Sequence, residues 1–182
     1  MSTNNSKKTR KQEMLKGLKS EDLSTLVKTL EKVEKNGDAD LISPIIQLGS
    51  KRQEEEVQTI IRRILFGIKI SAAHPIMLQE LKTMESNPFR RVLLSSIWEA
   101  GINGLEELDT IVRIAIEGDL YEAIECLTII EESEGTLNEE KILDSLLLLE
   151  AFKSSNEKVD PSKEVIMSSI YDKVSDMNKG IL

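Results

Sequence analysis

The chain holds one histidine, His74, and one cysteine, Cys126, and that scarcity bounds the chemistry open to it. A single histidine cannot build a multi-histidine metal site, and with Pro75 next to it His74 reads as a helix cap or a surface residue. Cys126 stands beside Leu127 in an apolar helical stretch. With no histidine near it in sequence, it reads as a small buried apolar residue rather than a nucleophile. Ser95-Ser96 and Ser168-Ser169 would also need His74 to complete a triad, so they read as close-packing positions. Carboxylates are plentiful, but Glu54-Glu55-Glu56, Glu106-Glu107, Glu131-Glu132 and Glu139-Glu140 read as solvated helix turns. Asp38 and Asp40 do not open a calcium loop, because the position that needs a glutamate is Gly49. The glycines never take the spacing of a phosphate-cradling loop. The expectation is a protein with no catalytic residue, no cofactor and no metal, and not an enzyme.

What remains is recognition chemistry. Trp98, beside Ile97 in the middle of the chain, has two open readings: packing between helices, or an exposed aromatic anchor on a binding face. Arg90 and Arg91, near the start of the same helical stretch, could frame such a face or simply be solvated. These three are the candidate partner-binding residues.

Charge narrows the partner. The net charge is −8, yet residues 1–19 carry six Lys or Arg and only Glu13, a net +5, which leaves −13 on the remainder. An acidic body repels nucleic-acid phosphate and suits a protein partner with a basic surface. No specific nucleic-acid binding is expected. No apolar run approaches the roughly 18 residues that a membrane span needs, and the first residues lack an apolar signal core. The expectation is a cytoplasmic protein with no membrane association. Residues 1–19 read as a basic, flexible N-terminal tail.

The positioning elements are helices throughout. Apolar residues make up 40% of the chain and aromatics only 3%, so Leu and Ile carry the burial. Leu23, Leu26, Val27, Leu30 and Val33 recur at helical spacing from Ser20 to Lys35, and Asn36-Gly37 stops them. A short helix follows from near Asp40, with Gly49 after it. Ser50 and Gln53 form a capping-box pattern ahead of Val57, Ile60, Ile61, Ile64 and Leu65; Gly67 ends or bends that helix. Further helices are expected from Pro75, from Pro88 capped by Asn87 and closed at Gly101, from Asn103 to Gly118, and from Asp119. A second capping-box pattern, Thr136 with Glu139, precedes Ile142, Leu143, Leu146 and Leu147. After a polar break from Ser154 to Val159, a ninth helix starts at Asp160-Pro161 and ends near Gly180. Pro44, Pro75, Pro88 and Pro161 all fall near helix starts.

Spacing turns nine helices into an array. The triplet Leu26/Val27/Leu30 returns as Ile60/Ile61/Ile64, then as Val92/Leu93/Ser96 and Ala123/Ile124/Leu127, at offsets of 34, 32 and 31 residues. A two-helix unit cannot bury its apolar face alone, and stacking on its neighbour buries it. The order seen in GDADLISPIIQLGSKRQEEEVQTIIRRIL is an acidic cap, a short apolar helix, a polar turn and a longer helix with paired apolar positions. In this the chain resembles the HEAT and armadillo-like α-helical repeats over about residues 20–153. The tetratricopeptide repeat shares the period, but its Trp, Leu-Gly, Tyr and Pro signature is not present.

That resemblance implies an all-α, right-handed α-α superhelix, a HEAT-like solenoid of about four helix pairs plus a C-terminal helix. Residues 20–153 would form the repeats and 154–182 a linker and capping helix. The function expected is a non-catalytic protein-interaction or scaffold module using the concave face. A second reading is an acidic inhibitor or immunity-type protein that masks a basic toxin or nuclease. The third is a HEAT-like enzyme or nucleic-acid-binding protein, a class that includes DNA glycosylases and chromophore lyases, of which the first would need a basic groove that this chain lacks.

Overall fold

A computed structural model describes residues 2–136, 138–155 and 159–180, with side chains from Ser6 onward. Among these residues every regular element is helical. The α-helices are α1 (Ser2–Gly17), α2 (Leu23–Asn36), α3 (Ile42–Lys51), α4 (Glu55–Phe66), α5 (His74–Thr83), α6 (Pro88–Glu99), α7 (Leu108–Glu117), α8 (Leu120–Glu132), α9 (Glu139–Ser154) and α10 (Pro161–Lys179). Short 3-10 turns at Ala39–Leu41, Ser71–Ala73 and Gly104–Glu107 lead into α3, α5 and α7. The protein is therefore all-α, as its composition implied.

Short polar side chains start α2, α6, α8, α9 and α10 by accepting from amide N–H groups that the first turn leaves without partners. Asp22 caps α2 through Thr25 N, Asn87 caps α6 through Phe89 N, and Asp160 caps α10 through Ser162 N. Asp119 and Glu122 form a reciprocal capping box at α8. At the far end of α6 the chain turns on Gly101, whose φ of +66° is the left-handed conformation that glycine adopts without steric cost. Ile102, just beyond it, donates back to Ile97 O and is itself buried.

The even-numbered helices pack in chain order: α2 on α4, α4 on α6, α6 on α8 and α8 on α10. The odd helices α3 and α5 pair with each other, α5 reaches the turn ahead of α7, and α7 packs on α9. The first four even helices start 32, 33 and 32 residues apart, which is the periodicity read from the apolar triplets. One continuous core runs through both rows. Leu26, Leu30, Ile61, Leu65, Leu93 and Ile97 are among its wholly enclosed side chains.

Several local expectations change. Of the residues expected as a flexible tail, 1–19, Ser2–Gly17 form helix α1. α1 packs on α2, and Met14 within it and Leu18 just after it are buried in the core, at 6% and 4% exposure. Ser50 does not cap α4. It lies inside α3 and donates to Ile46 O, and α4 starts after Glu54 with no side-chain cap. Thr136 does not cap α9 either; Asn138 does, through Lys141 N. Gly67 is the end of α4 rather than a bend. Part of the polar break before α10, residues 156–158, lies outside the described residues.

Gly49 is the most instructive change. It is not a stop signal but a buried position within α3, where a Cβ would meet the Phe89 ring of α6 at 2.3 Å. Gly49→Ala gains helix propensity, roughly 1 kcal/mol, but forces the two helices apart or turns Phe89. The net effect expected is a destabilisation of about 1–2 kcal/mol, read from the urea-unfolding midpoint. Leu93→Ala, which opens space at a wholly buried site in α6, is expected to cost about 3 kcal/mol in the same measurement.

Candidate functional site

The side chains singled out on α6 meet their partners on α8. Arg90 and Arg91 are neighbours in sequence but lie about 100° apart around the helix, and that rotation separates their roles. Arg90 points inward. It is 3% exposed and grips Glu122 of α8 with two hydrogen bonds, Nε to Oε1 at 2.6 Å and Nη2 to Oε2 at 2.9 Å. The hydrogen bond to Glu122 is the main reason its guanidinium is held even more firmly protonated than usual. Arg90 is thus a correction to the sequence reading: a buried, paired arginine cannot frame a partner-binding surface.

Glu122 is also the capping glutamate of α8, and its Oε2 accepts from Asp119 N at 3.2 Å. Its carboxylate occupies the space that a side chain at Gly118 would need, 2.4 Å from an ideal Cβ there. Gly118 therefore serves both the turn between α7 and α8 and the ion pair. Lys163 of α10 is 8% exposed and donates through Nζ to Ile116 O and Gly118 O, at 2.6 and 2.7 Å. A cation placed on the carbonyl end of α7 is where the helix dipole favours positive charge.

Arg90, Glu122 and Lys163 are each the third residue of their helix, and the same position in α4 is the buried Val57. One stripe position thus changes from apolar to charged along the row. The sequence signal was available in the spacing of Val57, Arg90 and Glu122, 33 and 32 residues apart, while Lys163 follows 41 residues on and falls outside that period. What hid it was the Arg90-Arg91 pair, because nothing in the sequence says which of two adjacent arginines faces inward.

Arg91 and Trp98 lie on the outer side of the same joint. Arg91 is exposed, and its guanidinium carbon sits 5.3 Å from the centre of the Tyr121 ring, a cation–π contact across α6 and α8. Tyr121 is 60% exposed. Trp98 is half-buried, packs against the core and donates its Nε1 to Glu125 at 2.7 Å. Both readings of Trp98 therefore hold in part: its ring packs, and its edge reaches the surface. Ile124, one helical step from Tyr121, is 39% exposed. Arg91, Trp98, Tyr121, Ile124 and Glu125 form one amphipathic strip over the α6–α8 joint. Sequence reading missed Tyr121 and Glu125, since neither belongs to a motif.

The reactive candidates are separated from this strip. Cys126 is fully enclosed on the inner side of α8. Burial pushes its thiol far above the ordinary range, and the nearby Glu122 carboxylate adds to that. His74 is the half-buried first residue of α5. The serines divide by orientation: Ser96 is wholly buried and donates to Leu93 O, and Ser95 donates to Arg91 O.

Compared with known proteins, the chain matches no family model, no curated protein and no solved structure. Two outcomes follow from the geometry. Arg90→Met alone strands a buried carboxylate and is expected to cost about 3–5 kcal/mol. Arg90→Met with Glu122→Leu is expected to recover most of that loss, as a double-mutant cycle in urea would show. Cys126 is expected to resist a water-soluble thiol reagent in the native protein and to react in denaturant. Rapid native labelling would contradict its enclosure.

Proposed function

We propose that the chain is a non-catalytic module that holds a protein partner, built as a right-handed HEAT-like superhelix. Support for the superhelix comes from the even row, in which each of α2, α4, α6, α8 and α10 touches the next and the first four start 32–33 residues apart, and from an odd row beside it in which α3 packs on α5, α5 on the turn ahead of α7, and α7 on α9. Layered arrays of this kind present long surfaces made of equivalent helices. The observation that carries the function is the exposed strip over the α6–α8 joint. There Arg91 braces Tyr121, Glu125 holds the Trp98 edge, and Ile124 completes a mixed apolar and charged face. Tyr, Trp and Arg are the side chains that most often dominate binding energy. Holding them in place before binding lowers the entropy lost on association.

The masking reading, in which the protein covers a basic toxin or nuclease, keeps one specific observation in its favour. Residues 92–182 carry 20 Asp or Glu against seven Lys or Arg, a net −13, whereas residues 1–91 are net +5. Because the rows follow chain order, that division of charge in sequence is also a division in space. A basic partner would be drawn to the α8–α10 end.

A capture experiment tests both. The protein is immobilised and exposed to a lysate from its native source, alongside the variant Arg91→Ala/Tyr121→Ala. Both substituted side chains are exposed, so the fold is expected to be unchanged by circular dichroism. A protein partner recovered by the parent chain and reduced at least about tenfold in affinity by the variant is the expected result. Recovery of no protein by the parent chain counts against the proposal. Binding of the recovered partner that weakens several-fold between low and physiological salt favours the masking reading; salt-insensitive binding counts against it.

A further inference from the structure

Helix α9 closes the row of odd helices, and its outer face is not the polar one that the end of a stacked array needs for solubility. Ile142, Ser145 and Leu149 point inward, against α7 and α10. On the opposite side Leu143 is 45% exposed and Leu147, one helical turn on, is 69% exposed, the most open leucine of the described residues. At helical pitch these two share their face with Glu140, Asp144 and Glu150. Glu140 and Asp144 have no hydrogen-bond or ion-pair partner among the described residues, and Glu150 accepts from Tyr171 Oη at the α10 edge. The face carries no Lys or Arg. Lys141 of α9 is turned away and held by Asp109 at 2.7 Å, and Lys153 sits over the Tyr171 ring.

We infer that the outer face of α9 is a docking surface for a cationic amphipathic helix of a partner protein. Two leucines one turn apart match the apolar side of such a helix, and three carboxylates around them match its Lys and Arg residues. An apolar partner would leave those carboxylates without counter-charges, and an acidic one would be repelled. The occupant is therefore apolar on one side and positively charged beside it. The inference rests on the protein-holding reading, but on none of the residues of the α6–α8 strip.

The probe is a fluorescein-labelled peptide of about 18 Leu and Lys residues, arranged to give one apolar helical face. Its comparison is a scrambled peptide of the same composition. Fluorescence anisotropy with the full chain is expected to show binding to the amphipathic peptide and much weaker binding to the scrambled one. Leu143→Ser/Leu147→Ser is expected to weaken binding by about tenfold or more. Glu140→Gln/Asp144→Asn is expected to weaken it and to flatten its salt dependence. Leu147→Ser alone, at the more exposed position, serves where the double variant shifts the unfolding midpoint.

Equal binding of the scrambled peptide, or leucine variants that bind like the parent, would assign the attraction to overall acidity and overturn the inference. Sedimentation equilibrium covers the other occupant: a parent dimer that Leu147→Ser converts to monomer would place a second copy on this face and overturn it too. Arg91→Ala/Tyr121→Ala is expected to bind the peptide normally. Failure at α9 thus leaves the α6–α8 proposal standing, and failure of that proposal leaves this one standing.

Discussion

From α2 onward the helices carry apolar stripes too wide to shield alone, and in the even row the next helix does much of the shielding. That constraint is severest at α6, where Phe89, Val92, Leu93, Leu94 and Ile97 are all buried and α3, α4, α5 and α8 surround the helix. Removing water from apolar side chains is the main favourable term in folding, and here it is available only through neighbours. The interior order α2, α4, α6, α8, α10 is thus a consequence of burial, not of any fixed motif.

The same constraint explains why charge appears inside. Apolar stripes are non-directional, and helices that touch only through Leu and Ile can slide by a turn. The pairing of Arg90 with Glu122, and of Lys163 with the carbonyls of Ile116 and Gly118, can be satisfied in one register only. Buried ion pairs contribute little net stability compared with apolar substitutes, and fixing a unique arrangement is their best-attested use. It is consistent that these groups occupy one stripe position on three successive helices. Outside the core, Glu34–Arg63 and Glu131–Lys173 also bridge adjacent even helices. Being solvated, they contribute at most a few tenths of a kcal/mol to about 1 kcal/mol each.

Cys126 is walled in and Arg90 is consumed internally, whereas the α6–α8 strip and the outer face of α9 present exposed side chains. The first is aromatic and braced, and the second is leucine between carboxylates. They lie on different helices and differ in character, so they need not serve one partner. The outer face of α9 and the α8 side of the strip lie in the acidic half of the chain, whereas Arg91 is the last residue of the basic half.

Helix identity, most helix ends and the repeat period were written in the sequence, because they follow from local rules: apolar residues at helical spacing, short polar caps, proline at the first turn. Asn87, Asp119, Gly101 and Gly118 were legible for that reason. The capping-box patterns at Ser50 and Thr136 misled, since a side chain caps only if the chain turns there, and packing against α6 instead carried α3 on to Lys51. Residues 1–19 misled in another way: their charges suggested solvent, but Met14 and Leu18 are buried in the core. Only tertiary structure decided that Arg90 faces in and Arg91 out, that Gly49 yields space to Phe89, and that Tyr121 and Glu125 join Trp98. Each of those depends on contact between residues a helix or more apart, and a linear pattern contains no measure of that distance.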